Sequence, residues 1–238
     1  PVSAISVEVV DGEAEITGDG GTLQLKANVT PTNASNKNVT WSVDDPRIAT
    51  IDQTGLLTAV ADGTITVTAT AKDGSGKKGE LVVEISGQSA VIVTSDGELA
   101  TALADSTRTT IILDGTFNGF KVNRDVTIQG GTINPVKVEG TISGILVDAS
   151  KTVVIDGVTI NGTDIAGQVV GIETQANVKL TVKNAKINNV TTGIYLNPGS
   201  VLTATGNTIS NAVAGIGSDK ADLTGDISNN TFDNCGEA

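Results

Sequence analysis

The chain lacks histidine and methionine, and its aromatic side chains amount to one Trp, one Tyr and three Phe among 238 residues. Without histidine, the usual base that activates a thiol is missing, so the single cysteine, Cys235, is predicted to be an inert small side chain. Basic residues are also scarce, because 15 Lys and Arg stand against 27 Asp and Glu, a net charge of −12. This balance argues against a nucleic acid or an anionic lipid surface as partner, since clustered cations recognise both.

Long hydrophobic runs are missing too. No stretch of about 18 apolar residues occurs, so no segment is predicted to span a membrane. With no methionine, the chain is expected to be a mature or excised part of a longer protein. The apolar residues that remain are mainly Val, Ile, Leu and Ala, accompanied by many Thr and by 28 Gly. Branched side chains favour strands, so the chain is predicted to be all-β.

Residues 1–87 are predicted to form a small β-sandwich. Apolar and polar residues alternate over 22–29 and over 64–70, the period that turns one face of a strand towards a core. Asp-Gly turn signals separate such runs at residues 11–12, 19–20, 62–63 and 73–74. Short strands at this spacing are typical of an all-β sandwich.

Four motifs in this segment carry a family resemblance: Thr40-Trp41-Ser42, Ile48-Ala49-Thr50-Ile51-Asp52, Gly55-Leu56 and Ala61-Asp62-Gly63-Thr64. With them, residues 1–87 resemble the bacterial Ig-like domain of group 2. The resemblance implies a module that is repeated in bacterial surface proteins, adhesins and secreted polysaccharide-degrading enzymes. Trp41 is expected in the core of the sandwich rather than on its surface as a platform for a sugar.

The second half of the chain contains two series of marker residues that keep step with each other. A glycine followed by a large apolar residue recurs at nearly regular spacing, at Gly119-Phe120, Gly144-Ile145, Gly171-Ile172, Gly193-Ile194 and Gly215-Ile216. The second series recurs at matching spacing, at Ile133-Asn134, Ile160-Asn161, Ile187-Asn188, Ile209-Ser210 and Phe232-Asp233. Two series in step indicate one supersecondary unit stacked on itself.

Each repeat contains a short strand that ends in a bend. The strands are predicted at Val126–Gln129, Val153–Asp156, Leu180–Lys183 and Leu202–Thr205. The residues that follow them, Gly130, Gly157, Asn184 and Gly206, suit a bend with positive φ. The Asn after each marker Ile is expected to form a ladder of side-chain hydrogen bonds between coils. This layout resembles the right-handed parallel β-helix of the pectate-lyase-like superfamily over residues 88–238.

One helix is predicted before the coils, at about 95–105. Ser95 and Glu98 form a capping box, and Leu99, Ala102 and Leu103 share one helical face. A stacked coil exposes the core of its first layer, so this helix is expected to cap it. Residues 228–238 keep the coil pattern, which predicts either further coils or another chain over that end.

Stacking places equivalent residues in columns about 4.8 Å apart. Counting two or four residues past each marker glycine predicts a polar face opposite the Ile side chains, which is the candidate ligand surface. We call this surface the polar strip and define it as Asp148, Glu173, Gln175, Tyr195, Asn197 and Asp219.

The resemblance to the β-helix superfamily implies two sets of catalytic residues, which can be compared with the residues of this chain. Its lyases use acidic residues that bind calcium with an Arg or Lys base, and its hydrolases use three Asp with a His and an Arg-x-Lys motif. The missing histidine excludes the hydrolase set, and Arg47, Arg108 and Arg124 all lie outside the middle coils. A carboxylate pair at Asp148 and Glu173 remains the alternative, because glycosidases need two carboxyl groups about 5–9.5 Å apart.

No cofactor is predicted. Asp and Asn oxygens would suit Ca²⁺, but Asp148, Asp156 and Asp164 are too scattered for a site and are expected to have turn roles. A sugar site would need exposed aromatic rings, and Phe117, Phe120 and Phe232 occupy core positions. Only Tyr195 is then available on the polar strip, so any glycan contact is expected to be polar and weak.

These observations favour a non-enzymatic part of a bacterial cell-surface or secreted protein, acting as a stalk, a surface-layer component or an adhesin. The expected location is extracellular, and the expected partner is a cell-wall glycan, a host glycan or another surface protein. The alternative is a carbohydrate-active enzyme of the polysaccharide lyase type whose active coils are incomplete in this chain. The third hypothesis is a glycan-binding module that acts along Glu173 and Tyr195.

Overall fold

The computed structural model describes residues 1–162, 167–219 and 225–237. The chain divides into two compact units, Pro1–Val91 and Ile92–Ala238. The predicted all-β architecture is confirmed, because one short helix accompanies 23 strands in the described part of the chain.

The first unit is a sandwich of two four-stranded sheets. Its strands are β1 (Ala4–Val9), β2 (Glu15–Ile16), β3 (Thr22–Thr30), β4 (Val39–Val43), β5 (Ala49–Ile51), β6 (Leu56–Ala59), β7 (Gly63–Ala71) and β8 (Lys78–Ile85). One sheet has the order β1-β3-β6-β5, and the other has the order β2-β8-β7-β4. The pairing is antiparallel except between β2 and β8.

The core of the sandwich follows the predicted alternation. In β3 Leu23 and Leu25 are buried while their neighbours face solvent, and in β7 Ile65 and Val67 are fully buried. Trp41 is 7% exposed within the same core, so its predicted core position is confirmed. Trp41 therefore presents no platform for a sugar.

Asp73 links two distant parts of the first unit. Its carboxylate accepts a hydrogen bond from the backbone N–H of Ser75 at 2.9 Å and another from the backbone N–H of Val2 at 2.5 Å. Hydrogen bonds from Ser75 and from Val2 lower the pKa of Asp73 to about 2. The ionised carboxylate therefore holds residue 2 against the 73–75 turn.

The second unit is a right-handed parallel β-helix of about six turns, as predicted. The strand β9 (Ala90–Val93) crosses the boundary between the units, and α1 (Asp96–Ala104) and β10 (Thr110–Asn118) follow it. The coils follow as β11 (Phe120–Val122), β12 (Val126–Asn134), β13 (Val136–Val138), β14 (Thr141–Val147), β15 (Thr152–Asp156), β16 (Thr159–Asn161), β17 (Val169–Thr174), β18 (Lys179–Lys183), β19 (Lys186–Leu196), β20 (Val201–Thr205), β21 (Thr208–Ser218), β22 (Ile227–Ser228) and β23 (Thr231–Glu237).

The strands form parallel columns whose register is that of the marker residues. β11, β14, β17 and the later parts of β19 and β21 form one column, in which Phe120, Ile145, Ile172, Ile194 and Ile216 lie side by side. The Ile-Asn series aligns in the next column, through β12, β16 and the beginnings of β19, β21 and β23. A third column runs through β12, β15, β18, β20 and β22.

The two marker series contact each other inside the coil. An ideal Cβ on Gly171 would lie 2.6 Å from Cγ2 of Ile187 and 2.5 Å from the carbonyl oxygen of Gly193 in the next coil. Gly144 against Ile160 and Gly193 against Ile209 repeat the contact. Glycine recurs in the first series because the branched side chain of the second series fills the space that a Cβ would need.

The bends predicted to need positive φ have it. Gly130, Gly157 and Gly206 have φ of 68°, 67° and 68°, and Asn184 and Asn229 occupy the same column with φ of 55° and 56°. Asn replaces Gly here because its short polar side chain tolerates the left-handed region. Each bend turns the chain between two neighbouring columns of strands.

The asparagine ladder is present but is only partly where the sequence predicts it. Asn188 donates a side-chain hydrogen bond to Asn161, as expected. The fuller ladder lies at Asn207, which is 2% exposed, donates to the Val182 carbonyl at 2.9 Å and contacts Asn230 at 2.8 Å. These residues directly follow the positive-φ bends, where inward-facing backbone groups need partners.

The helix α1 begins as its capping box predicts. Ser95 is the N-cap, and its hydroxyl accepts a hydrogen bond from the backbone N–H of Glu98 at 3.4 Å. The Glu98 carboxylate accepts in turn from the backbone N–H of Thr94 at 2.7 Å, one residue before the expected partner. Leu99 is buried on the side of α1 that faces the coils, which confirms a capping helix. No helix in the described ranges is long and apolar enough to cross a membrane.

Arg124 completes the other end of α1. Its guanidinium donates to the carbonyls of Ala102 and Leu103 at 3.0 Å each. These carbonyls belong to the last turn, where helical partners run out and a cation also meets the negative end of the helix dipole. Arg124 is therefore a structural residue of the first coil.

Candidate functional site

The candidate site lies where two of the coils are longer than the rest. The segment from marker Ile to marker Gly runs from Ile160 to Gly171 in one coil but only from Ile187 to Gly193 in the next. One coil earlier, the segment from Ile133 to Gly144 has the same length as the segment from Ile160 to Gly171. The wider spacing between marker Ile and marker Gly is therefore a sequence signal for the site. Counting two or four residues past each marker Gly does not use this spacing.

In the coil that contains Ile133 to Gly144, the extra residues form an antiparallel hairpin. β13 pairs with the beginning of β14, with Val136 opposite Ser143 and Val138 opposite Thr141. Glu139, with φ of 46°, and Gly140, with φ of 104°, form the turn. The hairpin interrupts the parallel pattern and provides a wall beside the β14-β17-β19 column.

A polar groove lies along this wall, with a volume of about 400 Å³. We call it the Glu173 groove. It is lined by Gly140, Thr141, Ile142, Gln168, Val170, Glu173, Thr191, Thr192 and Tyr195. The groove therefore combines one carboxylate and one aromatic ring with hydroxyl, amide and aliphatic groups.

Glu173 is held by a hydrogen-bonded chain from the hairpin. The Ser143 hydroxyl, which is fully buried, donates to Glu173 Oε2 at 2.9 Å, and the Ser143 and Thr141 hydroxyls lie 3.0 Å apart. The carboxylate is half-buried at its place on β17. A hairpin distant in the chain thus orients the carboxylate of Glu173.

Tyr195 lies next to Glu173 in the neighbouring coil. The two residues are register partners between β17 and β19, so their backbones are about 4.8 Å apart. The next residue in the column is Gly217, where an ideal Cβ would lie 3.3 Å from Cδ2 of the tyrosine ring. The small residue at 217 therefore leaves room for the ring on the outer surface.

Asp148 lies outside the Glu173 groove and belongs to a separate charge cluster. Lys121 Nζ contacts Asp148 Oδ2 at 3.2 Å and Glu139 Oε2 at 3.0 Å. Its hydrogen bond with Glu139, followed by that with Asp148, raises the pKa of Lys121. The structure does not place Asp148 and Glu173 in one groove, as a carboxylate pair would require.

The remaining members of the polar strip are also outside the groove. The Asn197 side chain donates to the Thr174 carbonyl at 2.6 Å, so its amide is used between coils. Gln175 is half-buried and its backbone N–H donates to the Val147 carbonyl, while Asp219 is exposed. Leu146, in the same column as Glu173, is 4% exposed and interrupts the strip. Of the six predicted residues, Glu173 and Tyr195 are the two that line the groove.

The carboxylates considered for calcium are occupied within the chain. Asp148 contacts Lys121, and Asp156 contacts Lys183 Nζ at 3.2 Å and the Asn184 amide at 2.9 Å. Asp164 lies outside the described residues. Within the described ranges, no group of three or more His, Cys, Asp or Glu could hold a metal ion.

A second cavity, of about 410 Å³, lies between α1 and the first coil. Leu99, Leu103 and Phe120 are among the residues that line it. Phe117 is 1% exposed, but Phe120 and Phe232 are only half-buried, so the predicted core position of these two is wrong in degree. Phe120 lies at the end of the coil stack, where α1 covers it incompletely.

Parts of this chain are similar in sequence or in structure to known proteins. The tail tube protein pb6 of Escherichia phage T5 is 46% identical over 86 residues, which is 35% of this chain and 18% of pb6. A 3-O-alpha-D-galactosyl-alpha-L-arabinofuranosidase of Bifidobacterium longum subsp. longum is 39% identical over 75 residues, which is 32% of this chain and 6% of that enzyme. This chain therefore spans less than a fifth of either relative. A crystal structure of an intimin mutant of EHEC O157:H7 matches 36% of this chain and 48% of that chain, at 16% identity and a TM-score of 0.29.

Two family models match, and each covers one of the two units. Residues 6–82 match the bacterial Ig-like domain (group 2), which agrees with the sandwich and its buried Trp41. Residues 118–238 match the right-handed beta helix region, which agrees with the stacked coils. The chain thus belongs to the right-handed β-helix family and has a bacterial Ig-like domain of group 2 before the helix.

Proposed function

We propose that this chain is a non-enzymatic adhesion segment of a bacterial cell-surface or secreted protein. In this proposal the β-helix is a rigid scaffold that presents the Glu173 groove to a ligand outside the cell. The Ig-like unit is the accompanying module, and its combination with a β-helix fits surface and adhesin-like proteins.

One observation carries the proposal: of the described residues that line the groove, Glu173 alone is acidic. Glycoside hydrolysis ordinarily uses two carboxyl groups on either side of the scissile bond. Asp148, the second member of the predicted carboxylate pair, contacts Lys121 instead. A single carboxylate fixed by Ser143 can orient a ligand, and none of the other described residues that line the groove offers the second carboxyl group that hydrolysis needs.

A rigid surface also suits binding. The Glu173 groove lies on strands that pair in register across consecutive coils, and the Glu173 carboxylate is supported by the buried Ser143 hydroxyl. Sites on such elements lose little conformational freedom when a ligand binds. Binding through one aromatic ring and polar groups is expected to be weak for one copy and to gain strength when copies are repeated.

The test combines binding with turnover. The fluorescently labelled chain is applied to a glycan array and to immobilised bacterial cell walls, and we expect retention on at least one of them. In parallel, the chain is incubated with polygalacturonate and calcium while unsaturated products are followed by ultraviolet absorbance. We expect no product from this incubation or from arabinan, where release of reducing sugars is measured.

Tyr195→Ala is the matched variant, because it removes the ring from the groove and leaves the inward Ile residues in place. It should reduce retention while the melting temperature stays unchanged. Equal retention of the variant and the parent would mean that the groove is the wrong surface. Clear turnover that disappears with Glu173→Gln would refute the non-enzymatic proposal.

A second candidate function is a carbohydrate-active enzyme whose active coils are incomplete in this chain. The similarity to the Bifidobacterium longum enzyme favours this class, but the printed name of that relative is a glycosidase and gives no support to the lyase type in particular. The complete reading frame distinguishes the two candidates. Further coils with clustered Arg and Asp would support the enzyme, and a wall anchor or surface-layer repeats would support the adhesion segment.

A further inference from the structure

Glu173 is half-buried, and none of the described Lys or Arg side chains pairs with its carboxylate. It accepts one hydrogen bond, from Ser143, and makes no ion pair with any residue that the structure describes. Asp148 and Asp156 on the same β-helix each contact a lysine at 3.2 Å. Since burial makes an unpaired charge costly, a positive group placed beside Glu173 would relieve that cost.

The register shows which residues lie beside Glu173 on either side. Its two neighbours in the column are Leu146 in the preceding coil and Tyr195 in the following coil. Leu146 is buried and apolar and Tyr195 has no cationic group, so neither neighbour in the column supplies a cation, and a cationic ligand could take that place.

Tyr195 adds a second feature that suits a cationic ligand. An aromatic face attracts an ammonium group and also packs against the C–H face of a sugar ring. Gly217 leaves the ring free of a side chain from the following coil. A sugar ring on Tyr195 would place its substituents within reach of Glu173, one strand spacing away.

The charge of the whole chain selects among sugars. A net charge of −12 attracts cations over long distances and repels sugar acids. The other polar groups of the groove, such as Gln168 and Thr192, are neutral and can bond ring hydroxyls. A volume of about 400 Å³ also lies within the range of small-molecule sites.

We infer that the Glu173 groove binds an unacetylated amino-sugar unit of a glycan, with its ammonium group against Glu173 and its ring against Tyr195. This inference rests on the proposed adhesive function and names the ligand class of the same groove. An N-acetylated sugar lacks the charge, and a uronic acid has the wrong one.

Isothermal titration calorimetry tests the inference with three probes: the fully deacetylated glucosamine tetramer, its N-acetylated counterpart and tetragalacturonate. We expect binding of the deacetylated tetramer alone. Glu173→Gln should weaken that binding about tenfold or more, because a charge-assisted hydrogen bond is lost. Asp156→Asn is the matched control, since it removes the same charge from the same β-helix outside the groove and should leave the affinity unchanged.

Three results would overturn the inference: equal binding of the N-acetylated tetramer, equal weakening by Asp156→Asn, or no binding of the deacetylated tetramer. Failure of the proposed adhesive function can be distinguished from failure of this ligand class, because retention on the array and on cell walls does not depend on amino sugars. Retention on a neutral glycan without binding of the tetramer would leave the adhesion segment standing and remove only its ligand class. Loss of both signals would remove both.

Discussion

Replacing Gly171 with alanine should destabilise the β-helix through a backbone contact. The new Cβ would lie 2.5 Å from the Gly193 carbonyl oxygen and 2.6 Å from Cγ2 of Ile187. Neither neighbour can move freely, because Gly193 is part of β19 and Ile187 is fully buried. Overpacking of this kind costs about 1–3 kcal/mol, and the rigid carbonyl places Gly171→Ala at the upper end, about 2–3 kcal/mol.

Gly157 provides the matched controls, because an added Cβ there meets nothing within 4 Å and the backbone alone matters, with φ of 67°. Gly157→Ala should cost about 1 kcal/mol for the left-handed conformation. Gly157→Asn should be nearly neutral, since Asn184 occupies the next coil with φ of 55°.

Thermal unfolding followed by circular dichroism measures these effects. For a unit of this size, a loss of about 2–3 kcal/mol lowers the melting temperature by roughly 4–12 °C. Trp41, the only tryptophan, lies in the first unit, so the transition in its fluorescence should stay in place and serves as an internal control. An unchanged melting temperature for Gly171→Ala, or a larger loss for Gly157→Ala than for Gly171→Ala, would contradict this role of the glycine.

Two further predictions concern hydrogen bonds. Asn207→Ala leaves the buried N–H of Ala185 and the Val182 carbonyl without their side-chain partner. Chemical denaturation should show that the β-helix loses about 1–3 kcal/mol of unfolding free energy. A loss near zero would show that water replaces the side chain. The pKa of Asp73 is lowered to about 2, so its contribution to the first unit should be complete above its ordinary value of 3.8 and be lost as the pH falls from about 4 to 2. Asp73→Asn should remove this part of the pH dependence of Trp41-detected unfolding, and an unchanged acid transition would contradict the assignment.

The architecture could be predicted because repetition makes local patterns redundant. Each coil repeats the same Gly-Ile pair, so one irregular repeat does not hide the register, and the aligned Ile172 and Ile194 follow directly from counting. The bends were equally predictable, because few residues other than Gly and Asn tolerate positive φ. The cap of α1 follows from Ser95 and Glu98, since capping depends on neighbours within one turn.

The candidate site was only half predictable. Counting from the marker glycines places Glu173 and Tyr195 on one face, but it places Asn197 and Asp148 there as well. Asn197 bonds to the Thr174 carbonyl, and Asp148 pairs with Lys121 from the preceding coil. The position of a residue in a column predicts the direction of its Cα–Cβ bond, but it does not predict the partner that the end of the side chain contacts.

The stacking interval, the buried branched residues and the positive-φ bends can be derived from the sequence, because each depends on backbone conformation or on neighbours one coil away. Which polar residues line a groove became clear from the three-dimensional packing. The antiparallel hairpin of β13 and β14 brings Ser143 to Glu173, a residue of the next coil, and builds the wall beside Tyr195. Such a contact depends on how an insertion folds against its neighbours, and that packing cannot be counted from the period of the repeat.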